Sequence, residues 1–512
     1  MRFVLFGLIA LLAACSEPVD PTAIAGGEAT APAFVGSAAQ PQPVPGTTAP
    51  VLPHMAAPGM GYMHADGYSS GSYPWAGPLG ISPRVQTRDG SRLPGGMCAI
   101  HTFTRNGQLL VLCANLLHFE LRLLDGQSLR QLASFGMPGR PSTFHALITL
   151  DPDKIMSDSS GAYFYLDDQD RVVIADSRQR IQRIGHREVA PGQWQFELAD
   201  SWDLSDQVPH DCVRPTNWNP SGECDPITGV MPDANGLIGW VTRRGRLGTL
   251  DPATGTVHAM QLANEEIQNG FSVAADGVYI VSDHAMYGFA AGPDGAPQTL
   301  WRELYDRGTQ RKIGSINQGS GTTPTLLGDD YVTITDNADG QINLLVYRRR
   351  PEVAGERLVC KLPLFEPGAS ASDNSAIGYG RSIIMENNSG YTSAFAQKDW
   401  SAVAGGVQRI DIRPDESGCD IVWTSKERSH STVPKLSAAN GLVYLYTVEP
   451  QDNGENAWYL TAVEFATGKT AYKVRTGVGS AFDNNWAPIS LMPDGGAVVG
   501  VMGGLVVVRD QR

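Results

Sequence analysis

The sequence predicts an all-β chain folded as a β-propeller, with eight four-stranded blades and the ring closed by a strand from the N-terminal side. Three observations carry this. A unit of apolar strand, tight turn and second apolar strand recurs eight times over the last 430 or so residues. Further strand-like pieces follow each copy, giving about four strands per unit. The last copy has only three strands before the chain ends, so one strand must come from elsewhere. Composition agrees: 57 glycines, 34 prolines and only 18% charged residues among 512 suit a turn-rich β protein.

The first copy runs from Cys98 (CAIHTFTRNGQLLVLCAN) and the second from Gly161 (GAYFYLDDQDRVVIAD). The others start at Ile227, Gly270, Thr322, Ser375, Thr432 and Ala487. Asn-Gly, Asp-Gly or Gly-Asp stands at several turns, the two-residue signal of a tight hairpin. The missing strand of the eighth copy is assigned to PRVQTRD, residues Pro83–Asp89. Pairing it there removes the open edges that an unclosed array would expose. Seven blades is the alternative, with the first or third unit read as an insertion.

The N-terminus reads as a targeting signal. Arg2 precedes an apolar run, Phe3–Leu12, too short to cross a bilayer. The following Leu-Ala-Ala-Cys, ending at Cys15, resembles a bacterial lipobox. That resemblance implies residues 1–14 as signal peptide and a lipidated Cys15. It also implies a cell-envelope protein held by its acyl chains. Ser16 after the cysteine resembles the pattern sorted to the outer membrane, with the folded part facing the periplasm. Residues 15–75, rich in Ala, Pro, Gly and Ser, are expected as an extended tether, and 76–512 as the propeller. Within the tether, His54, Met55, Met60, Met63 and His64 carry copper(I)-type donors. Packing along the outside of the folded domain is the favoured reading for them.

Net charge is 39 − 53 = −14, which disfavours nucleic acid as a partner, since a duplex binder needs a basic face. The expected partners are the membrane, through the anchor, and an envelope protein or small ligand. Beyond Cys15 six cysteines remain, an even number suited to disulfides in an exported chain. Cys98 and Cys113 flank one hairpin turn. Cys212 and Cys224 bracket a long loop. Cys360 and Cys419 pair by elimination. No Cys-x-x-Cys-His and no zinc-like Cys/His spacing is present.

LTAVEFATGKTAYKVRTG, Leu460–Gly477, resembles the repeat of pyrroloquinoline-quinone-type propellers, and LDPATGTVHAMQL from Leu250 is a degenerate version. Relatives of that type include an outer-membrane assembly scaffold and the quinone-dependent dehydrogenases. The dehydrogenases carry an adjacent Cys-Cys pair and a regular blade tryptophan, both lacking here, so quinone binding is not expected. Repeat resemblance identifies fold better than function.

Candidate ligand residues follow from the repeat register. Glu266, Asn269, Thr322, Thr323, Asp373, Asn374, His430, Asp483 and Asn485 enter inner strands. Asp176, Asp283, Asp336, Glu386 and Asn387 end second strands, at the same end of the ring. NGFSVAADGVYIVSD, Asn269–Asp283, resembles blades of gluconolactonase-type propellers. That resemblance implies axial Asn and acid side chains around a divalent metal. Oxygen donors suit calcium, so Glu266, Asn269, Asn374, Asp336, Glu386 and Asn485 are the candidate ligands and calcium the candidate ion. The competing reading is that Asn and Asp at strand ends bond local backbone. The expected function is a lipid-anchored binding or scaffold module. The alternative is a calcium-dependent lactonase or esterase, for which no general base is assigned.

Overall fold

The computed structural model describes residues 23–90, 96–114, 119–150, 159, 161–209, 211, 212, 222, 224–394 and 396–511. The signal peptide and Cys15 lie outside the described residues. No helix among the described residues is long and apolar enough to cross a membrane.

Eight antiparallel blades form the ring. Blades one to seven span residues 97–137, 165–203, 227–261, 272–304, 325–363, 377–425 and 435–478. Blade eight takes its three inner strands from 489–509 and its outermost from Arg84–Asp89. That strand pairs antiparallel with the last one, from Arg84 opposite Arg509 to Asp89 opposite Gly504. The ring thus closes as expected, and the count is eight.

Most inner strands are short and wholly buried, as in Ser272–Ala274 and Lys435–Ser437, because blades pack on both of their faces; that of blade one, Met97–Phe103, is longer and only partly buried at Met97 and Ala99. Outer strands are partly exposed, as in Val257–Gln261. The apolar core lies between blades and continues to the axis, where Tyr62, Met63 and Tyr68 join it. One α-helix, Pro141–Thr149, interrupts the connection between blades one and two. All three expected disulfides are present: Cys98–Cys113 across a hairpin, Cys212–Cys224 in the connection between blades two and three, and Cys360–Cys419 joining the outermost strands of blades five and six.

The two ends of the ring differ. We call "top" the end where the chain enters each inner strand and where second strands finish. Every hairpin turn at the bottom is nine residues or shorter, Arg349–Arg357 being the longest. The top carries long connections, including 305–324 between blades four and five and 387–406 within blade six.

The expected tether is corrected here, because from Ile24 onward it belongs to the propeller. Gly27 N–H donates to Val478 at the top of blade seven, 3.0 Å. Phe34–Gly36 then adds a strand to the outer edge of that blade. The chain crosses the bottom, where Val44 N–H donates to Ala438. Residues 55–73 enter the axial channel, and Ser72–Tyr73 pairs parallel with Leu436–Ser437. The backbone of this plug meets one inner strand after another: Leu166 donates to Gly61, Val273 to Gly67, Leu326 to Tyr68, Gly378 to Ser70 and Leu436 to Gly71, at 2.7–2.9 Å. The Thr102 hydroxyl adds blade one by donating to Met60, and Trp75 Nε1 adds blade eight by donating to Leu491.

The physical reason lies at the ring's inner edge. Inner strands leave backbone groups unpaired toward the axis, and buried backbone groups need partners. Glycine and serine suit so crowded a path: a Cβ on Gly67 would lie 2.3 Å from Leu52 Cδ1 and 3.0 Å from Val273. The Met/His group is likewise not on the outside, since Met55, Met63 and His64 are buried at 4%, 5% and 2% exposure, while His54 stays on the surface.

Candidate functional site

Three polar clusters occupy the top half of the axis. The first surrounds Lys435, which opens the buried inner strand of blade seven. Its ammonium has one hydrogen bond, to Val433 O at 3.3 Å, and among the described residues no carboxylate within ion-pair range. Burial lowers its pKa to about 7, against the opposing pull of Glu386 and Asp66. Glu386, ending the second strand of blade six, accepts from Ser429 Oγ at 2.7 Å and from Asn374 Nδ2. Burial raises its pKa to about 8. Asp66, on the plug, accepts from Ser70 Oγ (2.5 Å) and from the amides of Tyr68 and Ser70, and burial raises it to about 6. His64 sits between Ser375 Oγ at 3.5 Å and the ring of Tyr163, with Nδ1 unpartnered, and burial holds it neutral. A lysine, two carboxylates and a neutral imidazole are thus buried near one another beside the plug.

The second cluster lies toward blades three to five. Asn269 accepts from Tyr163 Oη at 3.1 Å and donates to Gly321 O. Asp373 is wholly buried, accepts weakly from Ile316 N–H at 3.3 Å, and burial raises it to about 8. Glu266 pairs with Arg243 at 3.0 Å.

The third is an aromatic cluster over blades six to eight. His430 packs against Tyr391, Trp400 and Trp458 at centroid distances of 4.3, 5.2 and 5.7 Å. Trp486 lies 4.9 Å from Tyr391. Tyr391 Oη donates to Asp483 Oδ1 at 3.0 Å. Among the described residues, neither His430 ring nitrogen has a hydrogen-bond partner, nor does Trp486 Nε1. Burial lowers His430 to about 3 and raises Asp483 to about 7. Asn485 and Trp486 both hold left-handed backbone, φ 41° and 64°, which is costly for such residues. The cluster is thus a packed aromatic patch in which His430, Tyr391 and Trp458 are buried and Trp400 and Trp486 are partly exposed.

The six residues expected around one calcium do not share a site. Asp336 accepts from Asn343 N, Asn343 Nδ2 and Ala338 N at 2.7–3.2 Å. Asp176 likewise binds the Arg178 amide and Arg180. These acids cap the turn between second and third strands, the local backbone role. Glu266 is engaged by Arg243, Asn269 by Tyr163 and Gly321, and Asn485 by Tyr391 and the Ala394 amide. Only Asn374 and Glu386 meet. Asn374 presents its NH₂ rather than its oxygen, since Nδ2 also donates to Thr432 O at 2.8 Å, and Lys435 adds a cation nearby. This donor set does not fit calcium.

Lys435, Asp66, Tyr391, Trp400 and Trp486 were not singled out in the sequence, and His64 was expected on the outside of the domain rather than at the axis. Lys435 carried a signal: a lysine within a strand expected to be buried on both faces (TVPKLS).

Fold and site together define an eight-bladed β-propeller whose axis is filled by its own N-terminal segment. No family model matches the sequence. An uncharacterized protein of Archaeoglobus fulgidus is 26% identical over 430 residues, covering 74% of this chain and 77% of that protein. A europium-containing methanol dehydrogenase is similar in fold, with a TM-score of 0.51 at 12% identity over 86% of this chain and 89% of that one. BamB from Moraxella catarrhalis aligns with a TM-score of 0.37 at 13% identity over 66% of this chain and 93% of that one. The likeness to the methanol dehydrogenase concerns the propeller fold alone.

Proposed function

We propose that the protein is a lipid-anchored binding module of the cell envelope that engages a protein partner through its top face. The observation that supports this most is the asymmetry of the ring. Long connections and the aromatic cluster lie at the top, while the bottom has tight turns and the channel is filled from below. Binding residues concentrate on long loops held by a rigid scaffold. A filled channel leaves no open axial cavity in which a substrate could meet converging groups.

The N-terminal path sets the geometry of anchoring. Ile24 N–H donates to Thr87 Oγ1 at 3.0 Å, near the top of blade eight. From Cys15 to Ile24 the chain can span at most about 30 Å when fully extended. On this reading the top face is held close to the bilayer, not on a sixty-residue leash.

The lactonase reading keeps one favourable observation, the buried Asn374–Glu386 contact, and is opposed by Lys435 beside it. The deciding experiment is crosslinking of the lipidated full chain in cells, followed by affinity recovery. A specific envelope protein, lost with the double variant Y391A/W486A, is the expected result. No partner above background, together with calcium-dependent lactone turnover by the purified protein, would overturn the proposal.

A further inference from the structure

Two long inter-blade connections meet beside blade two. One carries the helix Pro141–Thr149, between blades one and two. The other follows blade two and carries Cys212 and Cys224. A ring nitrogen of His145, on the helix, and the two sulfurs all lie within 4.8 Å of one another. His145 is 1% exposed and Cys212 0%, while Cys224 is half-buried. Among the described residues this is the one group of three or more His, Cys, Asp or Glu side chains so closely gathered. The sequence does not announce it, because the histidine lies far upstream and meets the cysteines only in the folded ring.

We propose that His145, Cys212 and Cys224 form a redox-gated site for a thiophilic divalent ion, zinc being the natural occupant. In the oxidised form the sulfurs bond each other and no thiolate is available. Two equivalents of a small thiol reduce the bond: the Cys212–Cys224 S–S bond breaks, two protein thiols form, and the reductant leaves as its own disulfide. The ion then displaces one proton from each thiol, and these go to solvent. Two thiolates and one imidazole supply three ligands, and water completes the tetrahedron, a donor set that suits zinc. The Cα atoms of the two cysteines are 4.6 Å apart. Sulfurs on one zinc sit about 3.8 Å apart, from two bonds of about 2.3 Å at a tetrahedral angle. With the bond reduced, rotation about the two Cα–Cβ bonds can open the sulfurs to that separation without moving the backbone. The helix that presents the imidazole is held independently of the disulfide, since Ser177 Oγ donates to Gly139 O just before it at 2.8 Å.

The test uses the full chain after mild reduction with a phosphine, which does not compete as a thiolate ligand. Differential alkylation and mass spectrometry identify which cysteines are free. Cobalt(II) is the probe, because thiolate-to-cobalt absorption reports sulfur ligation directly and zinc should bleach it. The expected result is one equivalent of cobalt bound by protein reduced at Cys212 and Cys224, and none by oxidised protein. Affinity should be at least tenfold weaker in H145A, and the thiolate band lost in C212S. H145Q, of similar bulk, controls for a folding defect: if its melting temperature is unchanged, its weaker binding reads ligation alone. Three results would overturn the proposal: no cobalt bound with both thiols shown free, equal binding by oxidised protein, or undiminished affinity in H145A and H145Q.

Discussion

Asn374 donates from one amide nitrogen to both the Glu386 carboxylate and the Thr432 carbonyl, tying the entrance of blade six's inner strand to that of blade seven. The contact fixes the amide with its nitrogen inward. It turns an expected calcium ligand into a donor.

Asn374→Asp is therefore expected to destabilise more than Asn374→Ala. The aspartate would bring a second buried acid against Glu386 and leave the Thr432 carbonyl facing an oxygen. A loss of about 2–4 kcal/mol is expected from an unpaired buried charge, read as a lower denaturation midpoint. By the same reasoning, calcium or a calcium chelator should leave the wild-type melting temperature unchanged. A chelator-induced drop would return an ion to the axis.

Stability should fall as pH rises from about 6.5 to 8; below that the buried imidazoles of His430, His101 and His64, whose folded pKa values are lowered by burial, act in the opposite sense. Glu386 and Asp373 have folded pKa values of about 8, and Asp483 about 7, each raised by burial. Between the ordinary carboxylate range and those values the folded state holds more protons than the unfolded one. Its advantage is full below the ordinary range and lost as pH climbs through the folded values. Lys435 acts oppositely, its folded pKa being lowered to about 7, but its contribution rises only above that pH. Thermal melts at pH 6.5 and pH 8 should show the lower melting temperature at pH 8, and Asp373→Asn should flatten the slope.

Deleting residues 23–75 should prevent folding of the ring, because it removes the backbone partners of the inner strands. Gly67→Val tests this without truncation. Its side chain must displace Leu52 or Val273, at a cost of about 1–3 kcal/mol for overpacking. Circular dichroism and a urea titration read both variants. A deletion that melts like the intact chain would show that the plug is dispensable.

Loss of the Cys360–Cys419 disulfide, through a double alanine variant, should cost about 2–4 kcal/mol. The bond closes a loop of sequence separation 59 and joins neighbouring blades at the rim. The urea midpoint under oxidising conditions measures it.

The contrast between what the residues announced and what they concealed has physical causes. Blades were legible because each hairpin is local, with Asn106-Gly107 at a tight turn and alternating strands on either side. The closing strand Arg84–Asp89 was legible because blade eight lacked one strand. The plug was not legible. Its partners are scattered over the whole ring, so it carries no periodicity, and its Gly, Ser and Ala content mimics a linker. Nor did register alone separate Asp336 from Glu386. The aspartate turns back to cap its own hairpin, and the longer glutamate reaches Asn374 and Ser429 at the axis. Lys435 was readable in principle, as a charge where burial was expected.

The central claim is that the top face, near the membrane, is the binding surface. Photo-crosslinking amino acids placed singly at Ile313, 65% exposed on the top connection, and at Thr467, exposed on a bottom turn of blade seven, test it most directly in the lipidated full chain. The account predicts a discrete crosslinked partner from position 313 and none from position 467. A partner captured from position 467 alone would contradict it.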